Sequence, residues 1–521
     1  MGQEDSPIVS IILLLTLSFL FSVSLSLARS DELLLQYFRT LSCLEFRMRR
    51  RKFYLTSAIP YVNARPHLGH AQEYVIADCI QRYHELLGDG VFLGSGADEN
   101  ALKNVQAAEK EELSPSVFLK KYSDIFRDFY GLLGVSLDVF RRGTDQTFHW
   151  PGVQLLWNRC LRSGDIYKKR YVGLYCVGCE SFKRKKDLLD GKCPDHNTFP
   201  ERIEEENYFF RLSKYQHQIE DLITSDTLRI FPQKRRREIL SFVRMGLEDF
   251  SISRSNERAR GVGVPIPGDD GQKIYVWFDA LAIYMTGVGY GYDERLWKAW
   301  WPADLHIIGK DIIRFHAVYW PAILLSAKLP LPKALLVHGF ITSGGHKMSK
   351  TIGNVIDPYW LLNTYGLDAV RYFLLREIPT LDDGDFTLRR FEELYTSDLS
   401  NGLGNLVSRI ATLAQRSGFS FPASPPLHFR LQVKKHLEDY RLDLALSEIW
   451  KSVSTLNHTI DRNRPWTLSG MSLRKVLTAL IGSLRQVGFE LQPFLPDTSA
   501  KILARFAGPK ILAQNPFFPH L

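Results

Sequence analysis

The sequence has 521 residues, 45% of them hydrophobic and 24% charged. That balance excludes a disordered chain and allows about three or four folded domains. A formal charge of +9 favours a polyanionic partner, nucleic acid first, with an anionic membrane surface as the rival. The six cysteines, Cys43, Cys79, Cys160, Cys176, Cys179 and Cys193, are too sparse for a disulfide scaffold; three cluster at a spacing that suggests metal, and free thiolates favour a reducing compartment.

No charged residue occurs from Ile8 to Ala28. The stretch has about the length of a bilayer span. It also resembles a signal h-region with a small-residue cleavage site, although Glu4 and Asp5 stand where a basic n-region belongs. A third reading takes residues before Met48 as no part of the working protein. Met48 opens Met-Arg-Arg-Arg-Lys directly before the first β-like run. Residues 1–47 are therefore read as a hydrophobic extension of doubtful function. The expected location is the cytoplasm, with organelle targeting or membrane tethering through residues 8–28 as the alternative.

After residue 50, short apolar runs alternate with amphipathic stretches, which predicts α/β with a parallel sheet. Phe53–Thr56 reads as a strand, Gly69–Leu87 as a helix and Val91–Gly94 as a strand. Helices follow over Ala101–Lys110 and Ser116–Leu133. From Tyr167 to Arg211 the texture turns to Cys, Gly, Lys and aromatic residues, as in a small inserted module. Strands are predicted again at Ile274–Trp277, Leu305–Ile308 and Leu335–Val337. Beyond about Phe386 the signal is helical, broken by the Pro-rich stretch Pro422–Pro426. There is no internal repeat.

Pro66-His67-Leu68-Gly69-His70 falls at a strand-to-helix turn, where open α/β sheets bind ligands. The helix N-terminus offers free N–H groups and the positive dipole end. Two imidazoles at i and i+3 can donate to one phosphate group, and Gly69 lets that group approach the backbone. Alone, the pattern is more often a metal site or a surface turn. Gly344-Gly345-His346-Lys347-Met348-Ser349-Lys350-Thr351 reads as a mobile loop able to close over a triphosphate, or as an exposed basic turn. Cys176-Val177-Gly178-Cys179 with Cys193-Pro194-Asp195-His196 is a zinc pattern. Its four N/S donors leave no open position, so the predicted Zn2+ is a single structural ion.

The two phosphate motifs together are similar to the paired signature of class I aminoacyl-tRNA synthetases, His-Ile-Gly-His and Lys-Met-Ser-Lys-Ser. Leu68 and Thr351 depart conservatively. From about residue 51 to the end, the chain resembles the methionyl-tRNA synthetases. That resemblance implies a Rossmann-like α/β catalytic domain, a zinc-knuckle connective insert and an all-α anticodon-binding domain. The implied boundaries are 48–165 for the first Rossmann half and 166–212 for the zinc knuckle. Residues 213–340 are the rest of the insert with the second half, 341–385 the loop and linker, and 386–521 the anticodon-binding domain.

The same resemblance implies an aminoacyl-tRNA ligase that uses ATP, Mg2+ and methionine and charges tRNA(Met). His67, His70, Lys347 and Lys350 would be catalytic. Gly69, Glu73, Asp311, Met348 and Ser349 would bind ATP. Ile59 and Tyr61, in Ser57-Ala58-Ile59-Pro60-Tyr61, would line the methionine pocket. Asp98, in Gly96-Ala97-Asp98-Glu99-Asn100, would pair with the ammonium; Asn100 stands where the family has His. Trp277, Tyr284, Phe315 and His316 would surround the thioether, and aromatic groups suit a polarizable sulfur. On spacing alone, these aromatics read as ordinary core residues.

Arg254 matches an arginine that orders the site. Cys176, Cys179, Cys193 and His196 would hold the zinc. Asn405 and Arg409, four apart on one helix face, would read anticodon bases, with Trp466 as the stacking plane; by itself Trp466 is more often a helix-start core residue. Lys183–Lys186 and Lys234–Arg237 are basic runs that meet the tRNA acceptor arm or form solvated faces. A monomer is the expected state.

Overall fold

The computed structural model describes residues 51–521 apart from 179–180, 184, 195–196, 348–355, 424 and 521. The expectations placed on residues 1–47, Cys179, His196, Met348, Ser349, Lys350 and Thr351 lie outside the described residues. Phe53–Leu87 and Val91–Leu521 form one unit; the other, Met1–Lys52 with Gly88–Gly90, is almost wholly outside them. Among the described residues, no helix is long and apolar enough to cross a membrane.

The first apolar run is strand β1 (Lys52–Thr56), followed by helix α1 (Leu68–Leu86), which is N-capped by His67. Strand β2 (Gly90–Ala97), helices α2 (Leu102–Lys110) and α3 (Pro115–Leu132), and strand β3 (Val139–Arg142) complete the first half. The insert is an antiparallel sheet. Its long strands β4 (Ile166–Cys176) and β6 (Glu201–Phe210) pair from Ile166↔Phe210 to Tyr175↔Glu201, flanked by β5 (Ser181–Lys183). Strand β7 (Arg229–Phe231) returns to the main sheet, and β8 (Phe250–Ser251) closes the insert sheet.

A three-stranded sheet of β9 (Ser253–Ser255), β10 (Pro265–Ile266) and β11 (Asp269–Ile274) leads into helix α4 (Val276–Thr286). This corrects the strand expected over Ile274–Trp277: the strand ends at Ile274, and all eleven residues of α4 are buried. A wholly apolar run carries no periodicity that separates a buried strand from a buried helix.

Strands β12 (Leu305–Gly309) and β13 (Ala334–His338) complete the six-stranded sheet, in the order β3-β2-β1-β12-β13-β7. β12 pairs in parallel with β1 and β13, as do β2 with β3 and β13 with β7. Leu55, Leu305, Ile307 and Leu336 enter one apolar cluster, whereas Tyr54, Ile308, Leu335 and Val337 enter a second. Successive strand residues point to opposite faces, so both faces are covered, as parallel sheets require. The chain runs outward from β1 in one direction, then resumes on β1's other side with β12. That reversal opens a crevice at the carboxyl ends of the strands, the ligand-binding position of open α/β sheets.

Beyond the sheet, β14 (Ile341–Ser343) pairs with β15 (His346–Lys347) and with a later strand. Helix α5 (Leu367–Arg376) comes next, and that later strand is β16 (Gly384–Phe386). The C-terminal region is helical, led by α6 (Asn405–Ser417), α7 (Leu442–Asn463) and α8 (Gly470–Glu490). Arg371 of α5 ties this region to α1. Fully buried, it pairs with Asp78 of α1 at 2.6 Å and donates to the carbonyls of Leu133, Pro493 and Phe494 at 2.8–3.0 Å.

Candidate active site

The entry to α1 is a capping box made of two histidines. The Gly69 amide donates to His67 Nδ1 at 3.1 Å, and the His67 amide donates to His70 Nδ1 at 3.1 Å. Both Nδ1 atoms are thus acceptors, which leaves the proton of each neutral ring on Nε2. The rings lie 3.8 Å apart. Burial, then the neighbouring His67 and His338, holds His70 well below the ordinary histidine range, so it is a neutral donor near pH 7. An added Cβ at Gly69 would meet the His67 ring at 3.0 Å, so a larger residue here would have to push that ring aside.

One turn on, Glu73 is buried. Its Oε1 accepts from the Ala58 amide at 2.7 Å, and its Oε2 meets His338 Nε2 at 2.9 Å. His338, the last residue of β13, also donates from Nδ1 to the Gly339 carbonyl at 2.8 Å. Burial pushes the His338 pKa down, but the Glu73 hydrogen bond and charge outweigh it and raise it. His338 was not singled out from the sequence. A polar residue ending a buried apolar strand at the crevice edge was the signal that could have found it.

Tyr61 and Asp98 come together through a parallel bridge, and the Asp98 amide donates to the Pro60 carbonyl at 2.9 Å. Tyr61 meets Trp277 edge-on at 6.2 Å, and Trp277 stacks flat on Phe315 at 3.6 Å. Ile59 is half-buried beside them in the second apolar cluster. Tyr284 Oη lies 2.8 Å from His316 Nε2, while His316 Nδ1 lies 3.0 Å from the Ile312 carbonyl. The carbonyl fixes the His316 proton on Nδ1, so Tyr284 donates to Nε2. Burial holds the His316 pKa down at about 4, which keeps the ring neutral. Trp277 Nε1 is buried with no partner among the described residues. Trp277, Phe315, Tyr284 and His316 are thus joined by direct contacts, and Trp277 and Tyr284 are at the same time buried members of the second apolar cluster.

Asn100 does something the sequence did not indicate. Its Nδ2 donates to Asp279 at 2.5 Å and to the Gly143 carbonyl at 2.9 Å, and Asp279 also meets the buried His149 at 2.5 Å. Arg254 lies over the rings of Tyr175 and Tyr275, at 4.9 and 4.3 Å. Asp311 is exposed just past β12, beside Gly309, where a Cβ would meet its Oδ1 at 2.8 Å. The backbone of Lys347 ends β15.

Cys176 and Cys193 are both buried, and each ends at a turn; the Cys193 amide and carbonyl are bonded to Thr198 and Asn197. In the helical region Asn405 is exposed, and Arg409 pairs with Asp461 of α7 at 2.6 Å. Just past α7, Arg464 takes a left-handed conformation (φ 41°) and turns the chain so that Trp466 is 58% exposed. Trp466 is therefore no core residue.

A doubly wound parallel sheet with a two-histidine helix start at its crevice has the architecture of nucleotide-binding α/β enzymes. The family model for class I (M) tRNA synthetases matches residues 53–199 and 184–411. The methionine–tRNA ligase of Brucella melitensis is 40% identical over 484 residues, covering 89% of this chain and 93% of the relative. The methionine–tRNA ligase of a Nostoc species is 40% identical over 476 residues, 87% of this chain and 89% of the relative. The structure of the Mycobacterium tuberculosis methionyl-tRNA synthetase in complex with methionyl-adenylate is similar with a TM-score of 0.83 at 35% identity, covering 90% of this chain and all of that one. The chain belongs to the methionine–tRNA ligase family of class I tRNA synthetases.

Proposed function

We infer that the chain is a methionine–tRNA ligase, which joins methionine to ATP as methionyl-adenylate, releases pyrophosphate and passes the methionyl group to the 3′ end of tRNA(Met) for translation initiation and elongation. The observation that carries the reading is the juxtaposition of the His67–His70 capping box with the Tyr61–Trp277–Phe315 wall in a chain of this family. In the first step the methionine carboxylate attacks the α-phosphorus in line, and the bond to pyrophosphate breaks. The two Nε2–H groups donate to the phosphate oxygens as charge builds on them, with Gly69 allowing the approach and Lys347 and Lys350 closing from the loop with Met348 and Ser349. Positioning and electrostatics carry the rate, and no protein nucleophile is required.

In this reading Glu73 holds the Ala58 amide and His338 rigidly beside the adenosine side, and Asp311 serves the ribose. Asp98 takes the ammonium, and Arg254 orders the pocket edge. Ile59, Tyr61, Trp277, Tyr284, Phe315 and His316 surround the side chain, where Trp277 Nε1–H is a donor available to sulfur. Mg2+ arrives with the ATP phosphates, and such sites need no protein cage. Buried Cys176 and Cys193, each at a turn, suit a thiolate-rich Zn2+ site completed by Cys179 and His196; the ion would staple the insert. Asn405, Arg409 and exposed Trp466 serve the anticodon. The segments 48–165, 166–212, 213–340, 341–385 and 386–521 act as the parts named above, in a cytoplasmic monomer, with residues 1–47 outside the function.

Methionine-dependent exchange of pyrophosphate into ATP tests the first step, and charging of tRNA(Met) tests the second. Exchange driven only by another amino acid refutes the assignment. One zinc per chain, lost together with insert stability in Cys176→Ser, is the result expected for the metal; no bound zinc refutes it.

A further inference from the structure

We propose that a small cavity between the insert and the β9–β11 sheet is a phosphate subsite that takes a backbone phosphodiester of the tRNA acceptor end during transfer. The proposal rests on the function inferred above. The cavity holds about 30 Å3 and is lined by Asn100, Tyr175, Arg254, Arg258, Lys273 and Tyr275 among others. That is space for a few water molecules, on the order of one phosphate group and too little for a nucleoside.

Three cations converge there. The β9–β11 register sets Lys273 directly opposite Arg254, and like charges in that relation repel. Arg258, just after β9, lies 4.2 Å over the Tyr175 ring that Arg254 also covers. Two carboxylates face Arg258: Glu201, which is 61% exposed and 3.8 Å away, and Glu205, which accepts from Ser255 Oγ at 2.9 Å. Lys273 has no ion pair among the described residues. Burial and then Arg254 push the Arg258 pKa down, as expected of a cation crowded by another.

The cluster is also preorganised. Arg254 is held between two tyrosine rings and donates from Nη1 to Ser251 Oγ at 3.1 Å and to the Ser253 carbonyl at 2.7 Å. A fold that fixes three cations around a phosphate-sized space gains from an anion placed among them. A hydroxyl-bearing anion fits best. Asn100 lines the same cavity, and its Oδ1 is buried without a partner among the described residues, an acceptor suited to a ribose hydroxyl.

The position separates this phosphate from those of ATP. None of the lining residues comes from the His67–His70 turn or from β14 and β15. They come from the insert, the small sheet and the segment after β2. Tyr175 immediately precedes Cys176, and Tyr275 N-caps the helix that carries Trp277. A phosphate seated here lies on the insert side of the aromatic wall, where a chain end delivering a hydroxyl to the adenylate has to pass.

The test compares both half-reactions in the full chain carrying Arg258→Gln, Lys273→Gln or both. Methionine-dependent pyrophosphate exchange should stay within about twofold of wild type. Single-turnover transfer from preformed methionyl-adenylate to tRNA should fall by about 10-fold or more in the double variant. The salt dependence of transfer should flatten by about one unit of slope per cation removed. Arg258→Lys should restore most of the transfer rate. Transfer at the wild-type rate overturns the proposal. An equal fall in exchange and transfer also overturns it, assigning the cavity to ATP or pyrophosphate. A wild-type chain with no methionine-dependent exchange refutes the underlying reading instead, and the subsite with it.

Discussion

Replacing His67 separates its two jobs, because Asn and Ala remove different parts of it. The Nδ1 atom caps α1 by accepting from the Gly69 amide at 3.1 Å, and the Nε2–H group is assigned to the ATP phosphates. Asparagine places an oxygen near the Nδ1 position and is among the best N-caps, whereas alanine forfeits about 1 kcal/mol at such a site. Neither reaches the Nε2 position. Loss of one preorganised donor to a developing phosphate charge costs about 10²–10³ in rate. His67→Asn should therefore melt near the wild-type temperature, and His67→Ala about 2 °C lower. Both should lose pyrophosphate exchange by the same two to three orders of magnitude. Thermal unfolding and exchange kinetics on the same preparations give the two readouts. Exchange by His67→Asn within about threefold of wild type would refute the donor role. Equal destabilisation by Asn and Ala would refute the cap.

Three further outcomes follow from buried groups. His316 titrates at about 4 because it is buried, so protons bind it more readily in the unfolded chain. Its contribution is full above pH 6.5 and is lost as pH falls toward 4, about 3 kcal/mol in all. His316→Gln should flatten the fall in urea midpoint between pH 7 and pH 4.5, and an unchanged fall refutes the assignment. Arg371→Met breaks a buried ion pair and orphans three carbonyls. It should destabilise by about 3–5 kcal/mol in denaturant unfolding, and a loss below about 1 kcal/mol would refute the role given to this link. Trp466→Ala should weaken tRNA binding by about 1–3 kcal/mol, as for loss of one stacked base, and leave exchange unchanged. Undiminished tRNA affinity refutes the stacking role.

The elements legible in the sequence were those whose local pattern matched their final environment. β1, α1, β12 and β13 are apolar runs or amphipathic stretches bounded by clear turns, and all four formed where expected. The insert strands were not legible as strands. β4 and β6 carry Lys, Arg and Glu at outward positions, and much of their stability comes from cross-strand partners such as Arg170 and Glu206, which lie 36 residues apart. β7 is three residues long, too short for any periodicity.

The site divided the same way. The His67–His70 turn is local and was readable as a strand-to-helix turn, whereas its two-histidine capping box appears only in the structure. The bonds joining Glu73 to His338, Asn100 to Asp279 and Asp78 to Arg371 span 179 to 293 residues. Only the closed sheet brings those pairs together. The aromatic wall lay between these cases, since spacing alone could not distinguish it from core. The Trp277–Phe315 stack and the Tyr284–His316 bond bring these residues together, within the second apolar cluster.

The central claim is that this crevice joins methionine to ATP. Pyrophosphate exchange by the full chain, measured with each of the twenty standard amino acids in turn, tests it most directly. The account predicts exchange with methionine far above that with any other, abolished with it in His70→Ala. No exchange with methionine, or faster exchange with another amino acid, would contradict it.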